Sequence, residues 1–177
     1  FVPPILTAMA WGMLGNPQVG LLNTLWKSMT GATVSPINIY SFGGVVWHMI
    51  QYSTPFLFLF IVDIFRAMDP SLEESSRMCG ASSWRTFRSI TLLLMTPALT
   101  NAFILSFIRG MENFESPLFF GTPAKITVVT TEIYNSIHHH ATPDYQYATA
   151  ISFLVMMLMF VMVFVQWRIL RGRSFQT

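Results

Sequence analysis

The chain has 177 residues, of which 53% are hydrophobic and 10% charged, and its net charge is +2. A soluble domain carries about a quarter charged residues and needs that polar surface to cover itself. A mean hydropathy of +0.51 therefore excludes an ordinary soluble domain and points to a membrane-embedded one. The single cysteine, Cys79, excludes an internal disulfide framework and a cysteine-rich metal site.

Four apolar segments follow in order. The first, about residues 1–15, opens on Phe1-Val2-Pro3-Pro4 and is shorter than the roughly 20 residues that span a bilayer, so its start is expected upstream. Asn16-Pro17 and Gly20 close it, and residues 16–39 read as a polar, turn-rich outer loop. The second span, 40–65, is interrupted by His48, Gln51 and Pro55. After a polar loop over 66–89, the third span, 90–108, carries no charge. An outer segment over 109–145 contains Glu112, Glu115, Pro117, Gly121 and Pro123, then "KITVVTTEIYNSI", whose β-branched residues leave helix and strand both open. The fourth span, 146–167, is apolar until Gln166-Trp167-Arg168. In lipid each span has to be helical to satisfy its own backbone, so the fold class is all-α.

Basic residues set the orientation. Arg66, Arg77, Arg85 and Arg88 lie in the 66–89 loop, and Arg168, Arg171 and Arg173 lie in the tail; the other side holds Lys27, Arg109 and Lys125. Seven against three puts the 66–89 loop and the tail in the cytoplasm.

That loop has its own local logic. Asp69-Pro70 is a helix start, with Asp at the N-cap and Pro at the first helical position. Glu73 and Glu74 then fall where the helix dipole favours anions, Ser75 and Ser76 keep the helix slim, and Gly80 stands where a left-handed cap is wanted. A second helix is expected from Ser82 or Ser83 into the third span, with Trp84, Phe87 and Ile90 along one stripe. Such a unit can pass a push from a cytoplasmic partner to the span; an ordinary connecting loop is the competing reading.

These residues resemble the EAA signature of permease subunits in binding-protein-dependent ABC importers: Glu-Ala-Ala, three residues, Gly, nine residues, Ile, one residue, Leu-Pro. Here Glu74-Ser75-Ser76 is followed by Arg77-Met78-Cys79, Gly80, nine residues, Ile90, Thr91 and Leu92. Serine replaces both alanines, and Leu93 replaces the proline, which is expected to leave the start of the span straighter. "FVPPILTAMAWGMLG", "NFESPLFFGTP" and "VVTTEIYNSI" are most similar to the iron(III) permease branch, in which two homologous halves are often fused. The resemblance implies most of an N-terminal half lacking its first spans, with a type I importer permease fold in a bacterial inner membrane. It also implies a second permease half, a periplasmic solute-binding protein and a cytoplasmic ATPase dimer that carries the ATP and magnesium, leaving no cofactor in this chain. Glu74, Ser75, Ser76, Gly80 and Ala81, with Ile90 and Leu92, are the positions it assigns to ATPase coupling. Iron(III) is the first cargo it suggests, with thiamine, polyamine, sulfate and phosphonate as alternatives.

Other chemistries find little support. No Gly-Lys-Ser/Thr phosphate loop and no His-Glu-x-x-His occur, so catalysis is not expected here. His138, His139 and His140 are adjacent, and helical neighbours point about 100° apart, which favours a hydrated outer loop over a metal site. His48 and Gln51 share a face, either bonding helix to helix or lining the solute path. Glu112 and Glu115 are candidates for the outer gate or for contact with the binding protein. Asp63 and Arg66 have the spacing of an ion pair. An ATP-independent transporter or channel is the remaining alternative, and it would more often carry ionisable residues buried mid-span.

Overall fold

A computed structural model describes residues 2–138 and 142–171. All its regular elements are helical: α1 (Pro4–Leu14), α2 (Leu21–Thr30), α3 (Phe42–Arg66), α4 (Ser71–Met78), α5 (Ser83–Thr86), α6 (Leu92–Glu112), α7 (Val129–His138) and α8 (Tyr145–Arg171). A π turn, Phe87–Thr91, joins α5 to α6, and a second one, Pro117–Gly121, follows α6. Three helices are long and apolar enough to cross a membrane: Phe42–Arg66, Ser83–Glu112 and Tyr145–Arg168. The four spans expected from sequence are not all matched by length. Helix α1 has 11 residues, about 16 Å at 1.5 Å per residue, roughly half the hydrocarbon thickness.

The chain divides into two compact units, Phe1–Ser53 with Arg109–Met157, and Thr54–Ile108 with Leu158–Thr177. The first is built on a small core of Ala8, Ile39, Val45 and Phe120, flanked by Trp11, Tyr40, Met49 and Phe119. Helix α3 starts hard against the turn before it: a Cβ on Gly44 would lie 1.8 Å from the Ile39 carbonyl oxygen. Only glycine allows that approach.

The expected polar loop over 16–39 is in fact organised by one asparagine. Asn23, 1% exposed, donates through Nδ2 to the carbonyls of Asn16 (2.9 Å) and Ile37 (2.7 Å), and its Oδ1 accepts from the Ile37 backbone N–H (3.0 Å). This clamp pins one side of α2 to both flanks of the loop. Leu21, Leu25, Trp26 and Met29 stay exposed. Residues 129–138, left open between helix and strand, form α7, whose start is fixed by Thr131: its hydroxyl accepts from the Val128 backbone N–H at 2.9 Å.

The second unit holds a polar pair within apolar helices, Gln166 Nε2 donating to Asn101 Oδ1 at 2.6 Å. Asp63 and Arg66 form no ion pair with each other among the described residues. Within the most apolar window of α8 only 6% is buried inside the chain, so lipid or another chain has to cover this helix.

Replacing Asn23 by Ala strands the Ile37 N–H and carbonyl, whereas the Asn16 carbonyl keeps the Gly20 N–H. We expect a loss of about 2–3 kcal/mol, read as a lower denaturation midpoint of the purified protein in detergent, whereas Thr24→Ala on the exposed side should change it little.

Candidate functional site

Helix α4 is specified almost entirely by its neighbours in sequence. Asp69 Oδ1 accepts from the Ser71 backbone N–H at 2.9 Å, and Pro70 already has helical angles, φ −65° and ψ −20°. The regular helix is counted from Ser71, one residue later than the sequence suggests, with the capping chemistry unchanged. Glu73 and Glu74 lie in the first turn and Arg77 in the last, each of the sign the helix dipole favours. At the other end Gly80 adopts φ +83°; its N–H reaches the Arg77 carbonyl (2.9 Å) and the Ala81 N–H reaches that of Ser76 (3.2 Å). Those two bonds are a Schellman closure, which needs the left-handed residue that glycine supplies.

The next helix packs back on α4. Ser82 Oγ accepts from the Arg85 backbone N–H at 3.4 Å, and a continuous helical rod follows from Ser83 to Glu112. Two threonines of this rod hold α4: Thr86 Oγ1 lies 3.0 Å from Ser76 Oγ, and Thr91 Oγ1 donates to Glu73 Oε1 at 2.6 Å. Both threonines are buried, at 2% and 1% exposure. In an α-helix, positions five apart diverge by about 140°, but the Phe87–Thr91 turn is wound with i→i+5 bonds, which brings such positions to one side. Leu93, where the signature has proline, lies in α6 just after this widened turn.

The coupling positions suggested by resemblance separate accordingly. Ser76 faces the rod, half-buried; Glu74, Ser75 and Gly80 are exposed, Ala81 is half-buried, and Ser75 turns its hydroxyl onto the Ser71 carbonyl at 2.7 Å. Ile90 and Leu92 belong to the rod, half-buried and exposed respectively. Met78 is 90% exposed and Cys79 is also exposed. Trp84 and Phe87 stack at 5.9 Å on the outer side of the rod.

A second polar cluster lies in the other unit. His48 is fully buried, with Nε2 2.9 Å from Thr7 Oγ1 and Nδ1 2.7 Å from Ser116 Oγ. The Thr7 hydroxyl proton is already committed to the Pro4 carbonyl at 2.8 Å, so in the neutral ring Nε2 carries the hydrogen and Nδ1 accepts from Ser116. Gln51 accepts from the Trp11 indole N–H. Both residues thus bond to α1, helix to helix, and Gln51 is also exposed. Glu115 is half-buried beside Ser116, whereas Glu112 is exposed. Sequence reasoning missed Thr7, Trp11 and Ser116; only the four-residue spacing of Thr7 and Trp11 hinted at a shared polar stripe on α1.

His138 stacks on Tyr134 with centroids 4.3 Å apart and reaches the Tyr134 carbonyl oxygen at 3.0 Å; His139 and His140 lie outside the described residues. Among the described residues no three His, Cys, Asp or Glu side chains gather as a metal site. An open cleft of about 940 Å³ is lined by Glu132, Ser136, Thr142, Asp144, Tyr145 and Tyr147.

Two outcomes follow from these geometries. His48→Leu orphans the Ser116 hydroxyl and should cost about 2–3 kcal/mol; adding Ser116→Ala should recover part of that loss in the same detergent-denaturation assay. Hydrogen bonds from the Ser71 backbone and side chain hold the Asp69 carboxyl below its ordinary value. Because the folded-state value is the lower one, the cap contributes fully above about pH 4 and is lost as pH falls through the depressed value. The protection of the Ser71 amide against exchange, relative to its intrinsic rate, should fall in that acid window, and Asp69→Asn should remove the transition.

Comparison with known proteins places these features. Residues 1–173 match the family described as "Binding-protein-dependent transport system inner membrane component". The chain is 29% identical over 139 residues to the ferric transport system permease protein FbpB of Actinobacillus pleuropneumoniae, covering 78% of this chain and 20% of that protein. It is 36% identical over 117 residues to a probable sulfate transport system permease protein of Chlorella vulgaris (65% and 43% covered). It is 32% identical over 174 residues to the trehalose/maltose transport system permease protein MalF of Thermococcus litoralis (93% and 57%). The chain therefore spans between about a fifth and somewhat over half of these relatives. A crystal structure of a bacterial ABC transporter involved in the import of the acidic polysaccharide alginate superposes with a TM-score of 0.64 over 98% of this chain and 62% of that one, at 16% identity, a likeness of fold. With three apolar helices of spanning length and a match along nearly its whole length, the chain belongs to the family of inner-membrane components of binding-protein-dependent transport systems.

Proposed function

We propose that this chain is part of the membrane path of an ATP-driven importer, that α4 is the element gripped by a cytoplasmic ATPase subunit, and that iron(III) is the cargo. The observation that carries the docking assignment is the two-sidedness of α4. One side is tied to the rod through Glu73 and Ser76, while Glu74, Ser75, Arg77 and Gly80 are exposed. A Cβ on Gly80 would meet nothing within 4 Å among the described residues, which leaves room there for a partner to pack closely. A periplasmic solute-binding protein and a second permease half complete the assembly, and the 66–89 loop faces the cytoplasm. The ferric relative, together with the residues quoted for the iron(III) branch, supports iron as cargo.

A second reading of the cargo has its own support: sulfate or a sugar, from relatives at 36% and 32% identity. Stimulation of ATP hydrolysis in the reconstituted intact importer decides between them, using its binding protein loaded in turn with iron(III), sulfate and maltose. Iron alone should stimulate; stimulation by sulfate or maltose alone would replace the iron assignment. An intact protein that never co-purifies with an ATPase subunit would overturn the permease reading itself.

The Gly80 position separates strain from docking. Asparagine tolerates the left-handed region at a cost of about 1 kcal/mol, so Gly80→Asn should keep most solute uptake. Gly80→Arg puts bulk and charge into the open space beside α4, and should abolish uptake while the protein still inserts.

A further inference from the structure

Two hydrogen bonds from α4 to the rod are not needed to form either element. Helix α4 has its own cap at Asp69 and its own Schellman closure at Gly80, and the rod has its own start at Ser82. What the bonds Glu73–Thr91 and Ser76–Thr86 add is a fixed relation between the two. They lie at the two ends of the π turn, Thr86 just before it and Thr91 as its last residue, and that turn allows residues five apart to face α4 together. Thr91 is 1% exposed and its hydroxyl is directed at a carboxylate at 2.6 Å, a charge-assisted bond of the stronger kind. A single contact would leave α4 free to pivot about it; two contacts one turn apart remove the pivot.

We propose that Glu73 and Thr91 are positioning residues for transport: their bond, with Ser76–Thr86 as the second point, makes α4 and the start of the third apolar helix move as one body, so that displacement of α4 is delivered to the membrane rather than absorbed in the connection. This rests on α4 being the ATPase-docking element. Glu73 touches neither solute nor nucleotide in this scheme; it acts through Thr91.

The test uses the intact importer reconstituted with its ATPase and binding protein, scoring three quantities: co-purification of the ATPase subunit, ATP hydrolysis and solute taken up per ATP. Glu73→Ala leaves Thr91 without its acceptor and should lower uptake per ATP about ten-fold, with ATPase association and hydrolysis retained. Glu73→Gln keeps an acceptor oxygen and should restore the ratio to near the wild-type value. Thr91→Ser should behave as wild type and Thr91→Val as Glu73→Ala. If Thr91→Val fails to insert, the Glu73 pair carries the comparison alone. Wild-type uptake per ATP in Glu73→Ala, or equal loss in Ala and Gln, overturns the brace. Absence of the ATPase from the wild-type preparation instead overturns the docking assignment on which it stands.

Discussion

Within the unit formed by residues 1–53 and 109–157, the segments that must stay together meet at one imidazole. His48 joins α1 through Thr7 and the stretch after α6 through Ser116, and Phe120 closes over its edge at 5.3 Å. Membrane proteins lack a strong hydrophobic drive between helices, because lipid tails are as apolar as leucine. Polar bonds of this sort then carry much of the burden of orientation, and a ring whose two nitrogens face two different segments does so with direction. The tautomer is dictated by the Thr7 hydroxyl having no proton to spare, so the network has one arrangement when the ring is neutral. A neighbouring bond from Trp11 to Gln51 and an edge-on contact between Trp11 and Trp47 at 5.6 Å reinforce the same α1–α3 junction.

The other unit solves a different problem with similar means. A short exposed helix cannot rely on burial, since none of the α4 residues is fully buried. It is held by terminal hydrogen bonding and by side-chain bonds to a neighbour that is itself a long helix. The π turn supplies the geometry for that attachment. Widened turns of this kind often accompany function, and here the widening has a concrete product: two threonines on one side where a regular helix would offer one.

Which features were legible in the sequence follows from their range. The α4 start and stop depend on residues within a few positions, and Asp69, Pro70 and Gly80 announced them. Membrane embedding and the long apolar helices came from composition. The threonine brace was hidden because the reading of stripes assumes a period of 3.6, and the Phe87–Thr91 turn departs from it. The partners of His48 lie 41 and 68 residues away, and no local pattern marks a contact at that separation. Residues 16–39 looked like a loop because Asn and Gly dominate their punctuation. Asn23 drew no reading of its own, whereas it is the clamp that sets α2. In α7 the β-branched residues left helix and strand both open, and packing of Tyr134 on Phe114 at 5.3 Å goes with the helix.

Cys79 sits at the C-terminal cap of α4, exposed, and it is the one thiol in the 177 residues. Within these residues a thiol-reactive fluorophore or spin label therefore has one attachment point, beside the glycine turn. Its quenching or mobility reports directly on whatever covers the end of that helix. The segment thus comes with a spectroscopic address, one residue from the left-handed Gly80.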